Sequence, residues 1–333
     1  LARMIALDSL KKEIIEADKR IRSYIRKTPL EYSPYASSAS QGEVFLKLEN
    51  LQITGSFKLR GALNMILSLR EMGEERVIVT ASTGNHGVAV AYALQRLNMK
   101  GIIFVPENIS EAKLRDLKAY SVEIRFHGED CVEAENHARE FARENGMVYI
   151  SPYNDVKIVA GQGTVALEIA QDLNDIDTVI VPVGGGGLIS GIASYLKSID
   201  EDIEIIGVQP ENSRVMYESI KAGRILDMES RPTISDGTAG GIEKGSITFE
   251  ICKRYVDNFI ILSEDEIKDG IRFLMDNHHM LVEGAGALSI AAYFKEMEKF
   301  KKKRVILIVS GCRISMEKIK EVVCGDKNGG IQA

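Results

Sequence analysis

Between residues 76 and 151 the chain alternates four short apolar runs with three amphipathic stretches. "RVIVTA" (76–81), "GIIFVP" (101–106), "VEIRFHG" (122–128) and "MVYIS" (147–151) read as strands, and 85–97, 110–120 and 131–145 between them read as helices. A second series follows, with strands at 177–184, 203–210 and 304–311 and helices at 164–173 and 188–199. Runs of Val and Ile with helices between them imply parallel strands covered on both faces. Few folds satisfy that pattern twice over. The expected class is α/β with two open twisted sheets. A smaller domain over 56–152 is expected to be inserted into a larger one made of 1–55 and 153–333, with a helix over 7–26 packing on them.

Composition narrows what such a fold can do. A formal net charge of −6 argues against a nucleic-acid footprint, which needs a basic face. Trp is absent and aromatics are 6%, so Ile, Val, Leu, Ala and Met must build the core. The four cysteines, Cys131, Cys252, Cys312 and Cys324, are widely spaced and form no CxxC, which argues against zinc. No apolar stretch reaches membrane-spanning length, and "LARMIALDSL" does not read as a signal peptide. A cytoplasmic protein with reduced thiols is expected.

Three stretches carry chemistry. "VPVGGGGLISG" (181–191) lies between a strand and a helix, and Gly184, Gly185, Gly186 and Gly187 let the backbone approach an anion at the helix start. It lacks the GK[ST] of a P-loop and fits GxGxxG poorly, so a phosphate monoester suits it better than a dinucleotide. A tight strand–helix turn without ligand is the alternative. In "TASTGNHGVAVA" (80–91), Ser82, Thr83, Asn85 and His86 crowd another helix start, suited either to a carboxylate or to ordinary N-capping. "GSFKLRGA" (55–62) sets Lys58 among an aromatic and small residues, where neither a surface nor a core helix needs a lysine.

Together and in this order, these stretches resemble the fold-type II (tryptophan synthase β-like) pyridoxal-phosphate enzymes, within them the serine/threonine dehydratase and serine racemase family. "IVAGQGTVALEI" (158–169), "SDGTAGG" (235–241), "VEGAGALSIAA" (282–292) and "IVSG" (308–311) match in the same order. The resemblance implies that Lys58 binds pyridoxal 5'-phosphate as a Schiff base and then removes the substrate Cα proton. It places Phe57 and Gly237 on the two sides of the cofactor ring and Asn85 at its 3-hydroxyl. It puts Gly184–Leu188 around the phosphate, Ser310 at the pyridine nitrogen and Glu283 in the cofactor surroundings. Ser82, Thr83, Asn85, His86 and Tyr153 would meet the substrate.

The implied reaction is β-elimination, helped by the cofactor phosphate. L-Threonine would give 2-oxobutanoate and ammonia, and L-serine would give pyruvate and ammonia. A homodimer is implied as well. Thr83 stands where dehydratases of this group often have alanine and racemases have serine, so it counts as a candidate catalytic residue and racemisation stays open. Gln209 and Val215 stand where racemase-like members have metal-binding carboxylates, so no metal is expected, with Glu211 nearby. Cys312 and Arg313 replace a usual glycine–asparagine. Tyr153 leaves 3-hydroxyaspartate open as a substrate. His278 and His279 read as a solvated helix end, and "KFKKKR" (299–304) as an exposed linker.

Overall fold

The computed structural model describes residues 7–325. The expectation that residues 1–10 do not form a signal peptide falls mostly outside the described residues. The chain begins with α1 (Leu7–Ile21), β1 (Leu30–Tyr32), α2 (Pro34–Ser40), β2 (Glu43–Leu48) and α3 (Lys58–Glu71). It continues through β3 (Ile78–Ala81), α4 (Asn85–Leu97), β4 (Gly101–Val105), α5 (Glu111–Lys118), β5 (Glu123–Phe126), α6 (Cys131–Glu144) and β6 (Val148–Tyr149). Then come α7 (Val156–Asp172), β7 (Thr178–Pro182), α8 (Gly187–Lys197), β8 (Glu204–Pro210), α9 (Val215–Ala222) and α10 (Ile247–Tyr255). β9 (Asn258–Leu262), α11 (Glu264–His278), α12 (Gly284–Lys295), β10 (Arg304–Val309) and α13 (Met316–Cys324) complete it.

Two sheets form, as the two series of apolar runs predict. The four-stranded sheet, in the order β5-β4-β3-β6, is wholly parallel and is drawn entirely from residues 78–149. The six-stranded sheet runs β1-β2-β10-β7-β8-β9, with only β1 antiparallel, and takes strands from both sides of that stretch. Its strands β7, β8 and β10 are buried almost throughout because helices cover both faces. β1, β2 and β9 escape the sequence reading. β1 is three residues long, and β2, "EVFLKL", has only three apolar residues between the charged Glu43 and Lys47. Among the described residues no helix is long and apolar enough to cross a membrane.

Helix α7 begins at Val156 rather than near 164. Asp155 caps it, accepting from the N–H groups of Lys157 (2.6 Å) and Ile158 (3.4 Å). Its glycines serve close packing. A Cβ on Gly161 would lie 2.6 Å from Gly61 Cα in α3, and one on Gly191 in α8 would lie 2.5 Å from the Gly163 nitrogen. The backbones of α3, α7 and α8 therefore touch, which fixes the helix start bearing Lys58 relative to the glycine loop before α8.

Two surface readings need correction. His279 ends α11 in the left-handed conformation and is exposed, but His278 is not a solvated residue. Its Nε2 lies 2.9 Å from Ser33 Oγ and its ring packs edge-on to Tyr35, because α11 runs back against the start of α2. Nor is 299–304 a linker throughout. Phe300 is buried and stacked on Tyr293, while Arg304 opens β10 and pairs with Glu43 of β2.

The deepest polar cluster centres on Arg60, two residues beyond Lys58. Its guanidinium donates to both oxygens of Glu49 (2.8 Å each), to both of Glu168 (2.9 and 2.8 Å) and to Thr164 Oγ1 (3.1 Å). Lys47 adds bonds of 2.7 Å to Glu168 and to the Thr28 carbonyl. Arg60, Lys47, Glu49 and Glu168 are all fully buried, two cations with two anions. Burial alone would raise Glu168, but the charges and hydrogen bonds of Arg60 and Lys47 outweigh it and hold its pKa at about 2. Arg60→Met would strand Glu49 and Glu168 without their main partner. It should destabilise the protein by about 3–5 kcal/mol, measured by urea denaturation; a loss well under 1 kcal/mol would show that the cluster does not bear on stability.

Candidate active site

Four helix N-termini meet around Lys58. Lys58 is the first residue of α3, Asn85 the first of α4, Gly187 the first of α8, and Glu283 is the N-cap of α12. Each end presents amides without intrahelical partners and the positive end of a helix dipole. Such a place suits anions.

The chain approaches Lys58 through a short antiparallel bridge between Ser56 and Gly311. Phe57 N–H donates to the Ser310 carbonyl (3.2 Å), and Cys312 N–H to that of Gly55 (3.0 Å). Ser310 is thus held at the end of β10 beside the lysine. The Lys58 amine donates to the Pro152 carbonyl (2.9 Å) and lies 5.3 Å from the centre of the Phe57 ring. Burial lowers its pKa to about 8, against the opposing charges of Glu283 and Glu135. Lys47, in the buried cluster described above, has a carboxylate partner at 2.7 Å; the half-buried Lys58 has only a neutral carbonyl.

Asn85 and Glu283 form a pair across the site. Asn85 Nδ2 donates to Glu283 Oε1 (2.8 Å) and Oε2 (3.1 Å), while Arg313 N–H donates to Oε2 (3.0 Å). Burial raises the Glu283 pKa to about 7, partly offset by the Asn85 hydrogen bond. Asn85 Oδ1 is buried and has no partner. Gly237 sits over this pair: a Cβ there would meet Ala285 Cβ at 3.2 Å and Glu283 Oε1 at 3.4 Å.

The N-cap of α4 is Gly84, with no side chain capping it. Ser82 Oγ accepts from Gly84 N–H (3.2 Å), and both Ser82 and Thr83 stay partly exposed. Ordinary capping does not account for these polar residues. His86 is different, because its ring points into the interior. Thr80 Oγ1 donates to the Ile150 carbonyl (2.9 Å), so it accepts from His86 Nε2–H at 3.1 Å. Burial, with the charge of Lys58, lowers the His86 pKa to about 3, so the imidazole is neutral. What His86 can present to a ligand is its first-turn amide.

Tyr153 closes the site over the glycine loop. A Cβ on Gly185 would lie 2.4 Å from Tyr153 Cδ1, and one on Gly187 3.1 Å from Tyr153 Cβ. The ring therefore rests on bare backbone. Gly184 lies equally close to Thr238, and Leu188 is buried in the first turn of α8. Gln209, by contrast, is spent on its own loop. Its amide donates to the Val183 carbonyl (3.1 Å), and its oxygen accepts from Tyr217 N–H (2.9 Å).

These features fit pyridoxal phosphate. The orphaned Asn85 Oδ1 suits a phenolic hydroxyl donor. The first-turn amides of α8, reached over glycine backbone, suit a phosphate. The amine of Lys58, free of any carboxylate, suits an aldehyde. Sequence reasoning passed over one set of residues in the same place: Glu135, Arg139, Tyr149 and Glu243, which form a polar wall near Lys58. Only the setting of Glu243 among the glycines of "GGIEKG" could have drawn attention to it.

Comparison with known proteins agrees with this geometry. Residues 21–311 match the family model described as pyridoxal-phosphate dependent enzyme. The L-threonine ammonia-lyase of Thermotoga maritima is 39% identical over 96% of this chain and 78% of its own. The processed form of tomato (Solanum lycopersicum) threonine deaminase isoform 2 superimposes with a TM-score of 0.88 at 34% identity, covering 95% of this chain and 93% of that one. Maize serine racemase superimposes with a TM-score of 0.87 at 31% identity, covering 96% and 97%. The chain belongs to the pyridoxal-phosphate dependent enzymes, in the fold-type II group of serine/threonine dehydratases and serine racemases.

Proposed function

We propose that this protein is an ammonia-lyase that converts L-threonine, and L-serine as well, to 2-oxobutanoate or pyruvate with release of ammonia. The observation that carries the reading is the Lys58 amine, set where four helix starts converge and bonded to a carbonyl instead of a counter-ion. The 39% identity to an L-threonine ammonia-lyase supports the choice of substrate.

Pyridoxal phosphate, when bound, supplies an electron sink that acidifies the Cα–H of an attached amino acid and lets its β-hydroxyl leave. Lys58 would hold it through its amine, Asn85 Oδ1 would accept from its hydroxyl, and the amides from Gly184 to Leu188 would take its phosphate. Phe57 and Gly237 would confine its ring. Glu283 orients Asn85 through both carboxylate oxygens. Ser310 offers a hydroxyl where a carboxylate would enforce a proton on the ring nitrogen, which favours elimination over transamination. The hydroxyls of Ser82 and Thr83 and the first amides of α4 bind the substrate carboxylate. As a free amine, Lys58 takes the Cα proton. Threonine loses water, and the enamine released from the protein takes up water to give 2-oxobutanoate and ammonia.

The lowered pKa gives Lys58 its reactivity. At pH 7.5 roughly a quarter of such lysines are neutral, against about a thousandth at the ordinary value. A second reading, racemisation, rests on Thr83, whose hydroxyl has no protein hydrogen-bond partner among the described residues and could carry a second proton. Release of D-serine in excess of pyruvate would favour it. The unit 56–152 and the rest of the chain flank the cleft, and we take them as the two domains. A cytoplasmic homodimer completes the reading, supported by the exposed apolar side chains Tyr32, Leu51 and Ile53.

Lys58→Ala should abolish the borohydride-reducible visible chromophore and lower keto-acid release from L-threonine by at least about a thousandfold. A variant that keeps either one would overturn the assignment. The pH dependence follows from the same group. Only the neutral amine captures an aldehyde, so the rate at which apoprotein takes up pyridoxal phosphate should rise with pH and level off above about 8. A rise that continues toward 10 would mean that burial does not tune this lysine. Sedimentation of the holoenzyme should give twice the chain mass, and a monomer would rule out the dimer.

A further inference from the structure

The residues around Glu243 form a wall whose charge bears on which substrate the site takes. Glu243 stands in the loop between Gly240 and Gly245, and its carboxylate reaches across the cleft to the other side. Oε1 accepts from Ser151 Oγ (3.0 Å) and pairs with Arg139 of α6, and Oε2 accepts from Asn154 Nδ2 (2.8 Å). Its N–H donates to the Tyr153 hydroxyl (2.8 Å). Arg139 also donates to Glu135 (2.7 Å) and lies 4.3 Å over the ring of Tyr149. The Tyr149 hydroxyl is buried with no partner in hydrogen-bond geometry.

This wall adjoins the reacting amine. Ser151, Tyr153 and Asn154 flank Pro152, whose carbonyl holds Lys58, and the charge of Glu135 is felt at Lys58. Tyr153 meanwhile rests on Gly185. One guanidinium faces two carboxylates, so the wall carries one net negative charge. Arg139 is neutralised twice over and is not free to receive another anion.

We propose that Glu243 determines substrate specificity: it occupies Arg139 and leaves this end of the pocket anionic, so that neutral β-hydroxy amino acids enter and β-carboxylated ones such as 3-hydroxyaspartate are turned away. The inference rests on the lyase reading above. Glu243 acts through Arg139, as a positioning residue, and its bond to the Tyr153 hydroxyl holds the loop without bearing on charge.

The test compares keto-acid release from L-threonine and from L-threo-3-hydroxyaspartate by the holoenzyme. Wild type should favour threonine. Glu243→Gln keeps the shape and a hydrogen bond but removes the charge. It should move the ratio of kcat/KM toward the dicarboxylate by about tenfold or more, through KM rather than kcat. Tyr153→Phe loses the bond from the Glu243 N–H without a change of charge. It should weaken both substrates alike and leave the ratio in place. A ratio unmoved in Glu243→Gln that retains its chromophore, or one moved equally in Tyr153→Phe, overturns the proposal. A wild type that prefers hydroxyaspartate does so too. If the Gln variant fails to load cofactor, wild type decides: succinate should compete with threonine at least about tenfold more weakly than butyrate, and equal competition overturns the proposal. A loaded wild type that releases keto acid from no β-hydroxy amino acid instead overturns the lyase reading, a separate outcome.

Discussion

Everything near the reactive lysine hangs on the burial of Arg60. A guanidinium far from water is tolerable only when each of its donors is met, and here Glu49 and Glu168 meet them in pairs. Glu49 follows β2, Glu168 lies in α7 and Arg60 in the first turn of α3. Two neighbouring elements and a helix 108 residues further along are therefore tied at one point. Because Lys58 is two residues earlier, its direction is set by the same knot. The glycine contacts from α3 to α7 and from α7 to α8 extend that constraint to the glycine loop before α8. The rigid part of the site is thus built from one ionic cluster and a line of backbone contacts.

Facing this rigid half are connections made by side chains across the cleft. Arg313 donates to the Thr54 carbonyl and pairs with Asp116 of α5, while Lys113 of α5 reaches Asp236 at 3.4 Å. Arg139 and Glu243 hold the opposite rim. Pairs that water can reach, as these can, each contribute little to stability. Their geometry nevertheless bears on where α5 and α6 sit at the rim of the cleft.

Much of this was legible in the sequence, for identifiable reasons. Helix α4 spans residues 85–97 as its periodicity predicts, and β4, β7, β8 and β10 fall within the apolar runs because buried parallel strands need unbroken Val and Ile. The loops at 82–86 and 184–188 stood out because their composition exceeds what a cap or a turn requires. Harder to see was what depends on tertiary pairing. Arg60 lies within "GSFKLRGA" in plain view, but a single strand of text does not show that Glu49 and Glu168 will surround it. β1 and β2 are too short or too charged to announce themselves. The Glu243 wall joins residues about a hundred positions apart, none with a pattern of its own. His86 reads as polar at a helix start, yet its ring turns inward because Thr80 offers an acceptor.

The contact between Tyr153 and Gly185 couples two tasks that are usually thought of as separate. Gly185 is bare because an aromatic ring occupies the space a side chain would fill. On the function proposed above, the same ring would border the substrate. A smaller residue at 153 would open a void above the backbone proposed to hold the phosphate, and a larger one at 185 would push the ring away from it. Drift in substrate range along this lineage would therefore proceed by compensated pairs of changes at 153 and 185, and a change at either position alone would disturb both the choice of amino acid and the hold on the cofactor.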